Sequence, residues 1–238
     1  MKRCETRRTA RLLAALCAAR AAAAVVAPAA AQVPALPAPP DADVPVLMVP
    51  GWFKTGAAFA GLRGRMLNTG WPEDDVAAIT FADRTGSNHE HAREIAAAVD
   101  DLLARTGAAR VDIIAHSMGG LAARLYLRDH PGKVRRVVFL ATPHRGTYTA
   151  YLAFGRGRAE MLPGSAFLDS LNAAPPVPPG VEAMTVRTLV DAHIIPAASA
   201  TLPGVRDVVV CCPAHQAISR NLDVFRAVVA FLREEPGR

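Results

Sequence analysis

The run Ala115-His116-Ser117-Met118-Gly119-Gly120 sets a serine between small residues. A serine hydroxyl becomes nucleophilic when a base takes its proton and the backbone holds it clear of its surroundings. A small-x-Ser-x-Gly pattern at a sharp strand-to-helix turn does the second of these. Here an apolar run at 111–115 leads into the serine, and a helical pattern at 118–129 follows it. The turn sets the amide of Met118 at a helix N-terminus, where it faces developing negative charge. A second donor to such a charge must come from the loop Pro50-Gly51-Trp52-Phe53. Gly51 lets that loop turn tightly, the Trp52 amide is the first candidate and the Phe53 amide the second, and both rings are candidates to wall a pocket. The plainer alternative for Ser117 is the N-cap of an ordinary helix.

A nucleophilic serine of this kind needs a histidine and an acid, which follow it in chain order at the C-terminal ends of later strands. Among the acids after Ser117, Asp191 stands just beyond a strand pattern at 184–190. Asp207 begins its strand. Asp129, Asp223, Glu234 and Glu235 fall on helices or their ends, and Glu160, Asp169 and Glu182 lie in or beside an irregular stretch. Of the seven histidines, His89, His91 and His116 precede the serine, His130 ends a helix and His144 follows the strand at 134–140. His193 is two residues from Asp191, too near for side-on pairing. His215, between the strand pattern at 205–211 and the last helix, is the candidate base. His89, His91 and Asp83 also read as a metal set, but an i, i+2 pair shares a face in a strand and not at the start of a helix. No metal and no cofactor are expected.

The positioning elements follow from periodicity. Strand-length apolar runs at 46–49, 76–81, 111–115 and 134–140 alternate with helical patterns at 57–68, 90–105 and 118–129. Continuous Val, Ile and Leu strands separated by helices imply a mostly parallel sheet of about six strands with helices on both faces. The alternation breaks at 142–180, which is rich in Gly and Pro with a short helical pattern at 165–171. The span 150–180 is a candidate lid or pocket wall, since long irregular segments in compact domains are usually functional. Strands resume at 184–190 and 205–211, and a last helix runs over 219–234.

At 238 residues the chain fits one domain, and 51% hydrophobic with 20% charged residues is ordinary globular usage. The net charge of +6 is concentrated at the start, where Lys2, Arg3, Arg7, Arg8, Arg11 and Arg20 stand against Glu5 alone. The remainder is nearly balanced, so nucleic acid is not an expected partner. Residues 1–31 have the basic, apolar and small-residue order of a secretory signal peptide, with Ala29 and Ala31 at the cleavage positions and Gln32 as the new N-terminus. The expected location is therefore extracellular or periplasmic. Residues 32–43 read as a Pro-rich linker, and 44–238 as the catalytic domain. Adjacent Cys211 and Cys212 are expected to be small core hydrophobes without a disulfide, because trans-linked neighbours sit about 3.8 Å apart, below the usual disulfide range.

Several motifs together resemble one group. They are Val49-Pro50-Gly51, Asp83-Arg84-Thr85-Gly86-Ser87-Asn88, Thr106-Gly107 ahead of the serine motif, Val190-Asp191 and Ala214-His215, spread over residues 46–232. The chain resembles the small secreted bacterial triacylglycerol lipases of the α/β-hydrolase superfamily, including the minimal Bacillus-type lipases. Pro50 stands where those proteins commonly carry His, and Thr142-Pro143-His144-Arg145-Gly146-Thr147 looks more like larger esterase relatives. The resemblance implies an α/β-hydrolase fold, Ser117 as nucleophile, Asp191 as acid, His215 as base and the amides of Trp52 and Met118 as oxyanion hole.

The leading expectation is a secreted ester hydrolase acting on a small-molecule or lipid ester with an apolar acyl part, with transient contact to a lipid interface as a further possibility. Phe53 is expected to touch substrate, and no charged cluster near the serine motif is expected to hold a charged one. An acyltransferase with the same triad and a non-catalytic binding protein of the same fold are the alternatives.

Overall fold

The computed structural model describes residues 44–234. The candidate signal peptide and linker lie outside the described residues. Six strands, β1 (Val46–Val49), β2 (Val76–Ala78), β3 (Val111–His116), β4 (Val134–Leu140), β5 (Glu182–Thr188) and β6 (Arg206–Val210), form one all-parallel sheet in the order β2-β1-β3-β4-β5-β6. The connecting helices are α1 (Ala60–Asn68), α2 (Asn88–Thr106), α3 (Met118–Asp129), α4 (Arg156–Met161), α5 (Ala166–Asn172) and α6 (Leu222–Leu232).

The central strands carry apolar residues in succession because both faces are covered. Leu47, Val49, Ile113, Ala115, Val137 and Phe139 face α2 and α3, and their neighbours Val46, Met48, Ile114, Val138 and Leu140 face α1 and α6. Such alternation between two buried faces follows from the two-residue period of a strand. α6 matches it with Val224, Phe225, Val228, Val229 and Leu232 on one side. The chain passes from β1 outward to β2 and then back across to β3. The connections leaving β1 and β3 therefore carry α1 and α3 to opposite faces of the sheet, and the crevice at the C-terminal ends of such strands is where open parallel sheets bind ligands.

Several boundaries differ from the sequence reading. The strand expected at 76–81 ends at Ala78, and the one expected at 184–190 is β5, which ends at Thr188. Beyond β2 a single further bond, Ile79 N to the Met48 carbonyl (3.1 Å), reaches β1 before the chain turns away. The helix expected from residue 57 begins as a 3-10 turn, Gly56–Phe59, before α1. In the stretch 142–180 the helical pattern expected at 165–171 forms as α5, and α4 is an additional short helix. Cys211 and Cys212 correct the expectation about them: both are exposed, and they are joined to each other by a disulfide across a cis peptide, whereas the expectation assumed a trans one.

The end of the sheet away from the crevice is held by charge. Asp112 of β3 is buried and accepts hydrogen bonds from Arg135 Nε (3.0 Å) and the Arg136 amide (3.1 Å), with a further contact to Arg135 Nη2. Arg136, equally buried, donates to Glu182 Oε2 (2.9 Å) and to the Leu232 carbonyl (2.9 Å), which ties α6 to β4 and β5. Removing one partner from a buried ionic network leaves the other charge uncompensated. Asp112→Ala should lower the free energy of unfolding by about 3 kcal/mol in a urea titration. Asp129→Ala, which breaks the exposed pair with Arg128, should change it by less than about 0.5 kcal/mol. Equal effects would assign no special weight to the Asp112 network.

Candidate active site

A single residue, Ser117, joins β3 to α3. Ser117 has φ 54° and ψ −130°, a sparsely populated backbone for a non-glycine residue that costs on the order of 1–3 kcal/mol. Its amide donates to the Leu140 carbonyl (2.9 Å), and Gly120 N donates to the Ser117 carbonyl (3.0 Å), so the surrounding hydrogen bonds hold that backbone in place. The first turn of α3 also lies against the loop after β1. A Cβ on Gly119 would stand 2.3 Å from the Pro50 carbonyl oxygen, and one on Gly51 would stand 2.7 Å from Ser117 Cβ. Both positions need glycine because two backbones nearly touch there.

Ser117, His215 and Asp191, the three residues singled out from the sequence, come together at this turn. His215 Nε2 is 3.1 Å from Ser117 Oγ, and His215 Nδ1 is 2.8 Å from Asp191 Oδ2. The His215 and Asp191 side chains are both buried. Asp191 reaches this place from a turn after β5 rather than from the strand end itself. Its other oxygen, Oδ1, accepts from the amides of His193 (2.8 Å) and Ile194 (2.9 Å). Burial alone would raise the Asp191 pKa. The hydrogen bond and charge of His215 and the two amides outweigh it, so the carboxyl lies below its ordinary value and is ionised.

Two histidines set aside in the sequence reading pack on His215. His193 stacks on it at 4.8 Å, nearly parallel, and His116 lies at 4.7 Å on a tilted plane. His116 Nε2–H donates to the His215 carbonyl (3.2 Å), which assigns its tautomer. Burial, and then the neighbouring His215, push the His116 pKa down to about 3, so it is a neutral buttress. The only sequence signal for it was its place directly before Ser117 at a strand end. The carbonyl of His193 is anchored by Thr147 Oγ1 (2.7 Å) and Thr149 Oγ1 (2.5 Å), which fixes the loop that carries Asp191.

The amides proposed as donors divide. Phe53 N–H is spent on the Arg84 carbonyl (2.8 Å), which removes it as a second choice for an oxyanion donor. Trp52 N–H donates to no group among the described residues, and Met118, first in α3, has no intrahelical acceptor. Beside Ser117 and His215 lies a cavity of about 280 Å³, whose apolar lining includes Trp52, Ala150, Leu152, Ala153, Met161 and Ile194. Phe53, expected to touch substrate, is not among its walls. It is half exposed and turned outward beneath Arg84. Part of the 150–180 segment does border the cavity, and Trp52 Nε1 donates to the Phe154 carbonyl (3.0 Å), tying that segment to the loop after β1. Glu160, in the same segment, accepts from Ser87 Oγ (2.6 Å) and Asn88 N (2.6 Å) at the start of α2, a structural role. His91 stacks on Phe81 and His89 meets Phe167 edge-on, so the two rings have different neighbours.

The family described as alpha/beta hydrolase fold matches residues 44–155. A triacylglycerol lipase of Vibrio cholerae serotype O1 is 32% identical over 116 residues, which are 47% of this chain and 36% of that protein. A triacylglycerol lipase of Pseudarthrobacter phenanthrenivorans is 43% identical over 54 residues, 23% of this chain and 17% of that protein. The chain thus spans well under half the length of these curated relatives. The mature form of a Bacillus licheniformis lipase superposes with a TM-score of 0.66 at 16% identity, covering 84% of this chain and 96% of that one. With its six parallel strands and the serine turn after β3, the chain has the α/β-hydrolase fold.

The histidine chemistry carries a pH expectation. Below about pH 6.5 the unfolded chain protonates the His116 ring, while the folded chain refuses the proton down to about pH 3. The unfolded state then binds more protons, so stability falls as pH falls through that window. Buried His144, whose pKa is also held well below its ordinary value, acts in the same direction. His116→Gln should show a smaller fall in melting temperature than the unsubstituted protein between about pH 7 and pH 4. Parallel curves would place the acid sensitivity elsewhere.

Proposed function

We propose that the chain is a serine ester hydrolase that cleaves carboxylic esters with an apolar acyl part. The observation that carries this reading is the unbroken hydrogen-bond line from Ser117 Oγ through His215 to ionised Asp191, set on a strained turn beside an apolar cavity. In the proposed reaction His215 Nε2 takes the Ser117 proton as Oγ bonds to the ester carbonyl carbon. The amides of Trp52 and Met118 donate to the oxyanion, and the carbon–oxygen bond to the alcohol breaks as His215 returns the proton to the leaving oxygen. Water, deprotonated by His215, then releases the acid from Ser117. Asp191 holds the imidazole tautomer and stabilises its cation. The lipase relatives over part of the chain support the same chemistry. The apolar cavity side, built partly from the 150–180 segment, suits a hydrocarbon acyl chain.

The basic, apolar and small-residue order of residues 1–31 supports export, with the mature chain beginning at Gln32.

Asp191→Asn should lower kcat for p-nitrophenyl esters by up to about 10⁴-fold with the fold kept, since the wrong histidine tautomer is then favoured. Asp207→Asn should leave kcat within about twofold, because Asp207 bonds Thr185 and Arg187 away from Ser117. An organophosphonate ester should label Ser117 stoichiometrically, and ester hydrolysis that persists in Ser117→Ala would overturn the mechanism. The mass of exported protein should lack the first 31 residues; a full-length, membrane-held chain would overturn the export reading.

A further inference from the structure

Next to the candidate active site lies a second cavity of about 370 Å³, between the loop after β1 and the segment that follows His215. Lys54, Arg84 and Arg220 all line it, and no Asp or Glu does. None of the three has a carboxylate partner among the described residues. The Arg84 guanidinium carbon lies over the Phe53 ring, 4.6 Å from its centroid. Arg65 adds a further positive charge close by, since its guanidinium donates to the Arg220 carbonyl (2.8 Å). Lys54, Arg84 and Arg220 are separated in sequence by 30 positions or more, so no charge run announces them. The sequence reading expected no such cluster, and the fold assembles one.

Lys54 and Gln216 line this cavity and the candidate active site alike. Gln216 directly follows His215, the residue that hands its proton to the departing alcohol in the reaction proposed above. The active-site cavity is also lined by Trp52, Ala153 and Met161, apolar side chains suited to an acyl chain. An ester seated between Ser117 and His215 with its acyl part on these residues has its alcohol part free to reach Lys54 and Gln216, the two residues shared by both cavities. Uncompensated cations on a concave surface raise the local concentration of anions, and guanidinium groups match the paired oxygens of a phosphate.

We propose that the cavity lined by Lys54, Arg84 and Arg220 receives a phosphate carried on the alcohol part of the substrate, so that the preferred esters are acyl esters of a phosphorylated alcohol rather than neutral glycerides. The proposal rests on the ester-hydrolase reading for its direction along the substrate, while the cavity itself is read independently.

The test compares two monomeric esters with the same acyl chain, 1-hexanoyl-glycerol 3-phosphate and 1-hexanoyl-glycerol, so that no lipid surface contributes. The kcat/KM ratio should favour the phosphate ester by at least about tenfold at low salt and shrink at about 0.5 M NaCl, where exposed charges are screened. The ratio should collapse toward about one in Arg84→Gln/Arg220→Gln, and fall part of the way in Arg220→Gln, an exposed residue. A ratio near one in the unsubstituted protein, or one unmoved by the substitutions, overturns the proposal. If neither ester is cleaved, the hydrolase reading is what fails. Calorimetric titration with glycerol 3-phosphate then judges the cavity: binding at least about fivefold weaker in the double variant supports it, and equal binding or none at about 10 mM overturns it.

Discussion

The near-contact of two backbones, where the first turn of α3 passes the loop after β1, is the constraint on which the rest of the site depends. Gly119 lies against the Pro50 carbonyl and Gly51 against Ser117, with no room for a Cβ at either place. That approach brings the free amides of Trp52 and Met118 to the neighbourhood of one hydroxyl. It also forces the chain to leave β3 through the strained Ser117 backbone, which the Leu140 and Gly120 hydrogen bonds hold. The sheet makes the approach possible: β1 and β3 are adjacent, parallel and in register from Val46 opposite Asp112 to Val49 opposite Ala115, so their two exit loops start level.

His215 and Asp191 come from loops that have no such sheet support beneath them, and other contacts take its place. Asp191 is seated by two amides of its own turn, and the following residues are seated by Thr147 and Thr149 from the segment after β4. His215 sits between His193 and neutral His116. A charged ring in either flanking position would oppose the imidazolium that the proposed reaction forms. Burial and the field of His215 act against protonation of both neighbours, and so favour the one cation the chemistry needs.

The segment between β4 and β5 gives the site its asymmetry. It supplies the apolar wall through Ala150, Leu152, Ala153 and Met161, and it is tied back to the fold by the Trp52–Phe154 hydrogen bond and by Glu160 at the start of α2. Lys54 and Gln216 line the same cavity and also border the one that holds Arg84 and Arg220. Hydrocarbon and positive charge thus both border the candidate site. This polarity distinguishes the site from a plain apolar groove.

How much of this was legible depends on the distance over which each feature is decided. The helix at 118–129 and the strands at 46–49 and 134–140 were read to the residue, because burial on both faces demands continuous apolar runs and a Gly-Gly pair marks the start of α3. Ser117 was legible for the same reason, since a strand-to-helix turn between small residues is a local pattern. Asp191 and His215 were found by chain order and by their loops, although β5 stops at Thr188 and the acid reaches His215 through a turn that no periodicity describes. The fate of Phe53 was decided by a hydrogen bond to Arg84, 31 residues away. The gathering of Lys54, Arg84 and Arg220 was decided by the order of the sheet. Local side-chain periodicity specifies which elements form, whereas their packing alone specifies which distant charges and amides face one another across the crevice.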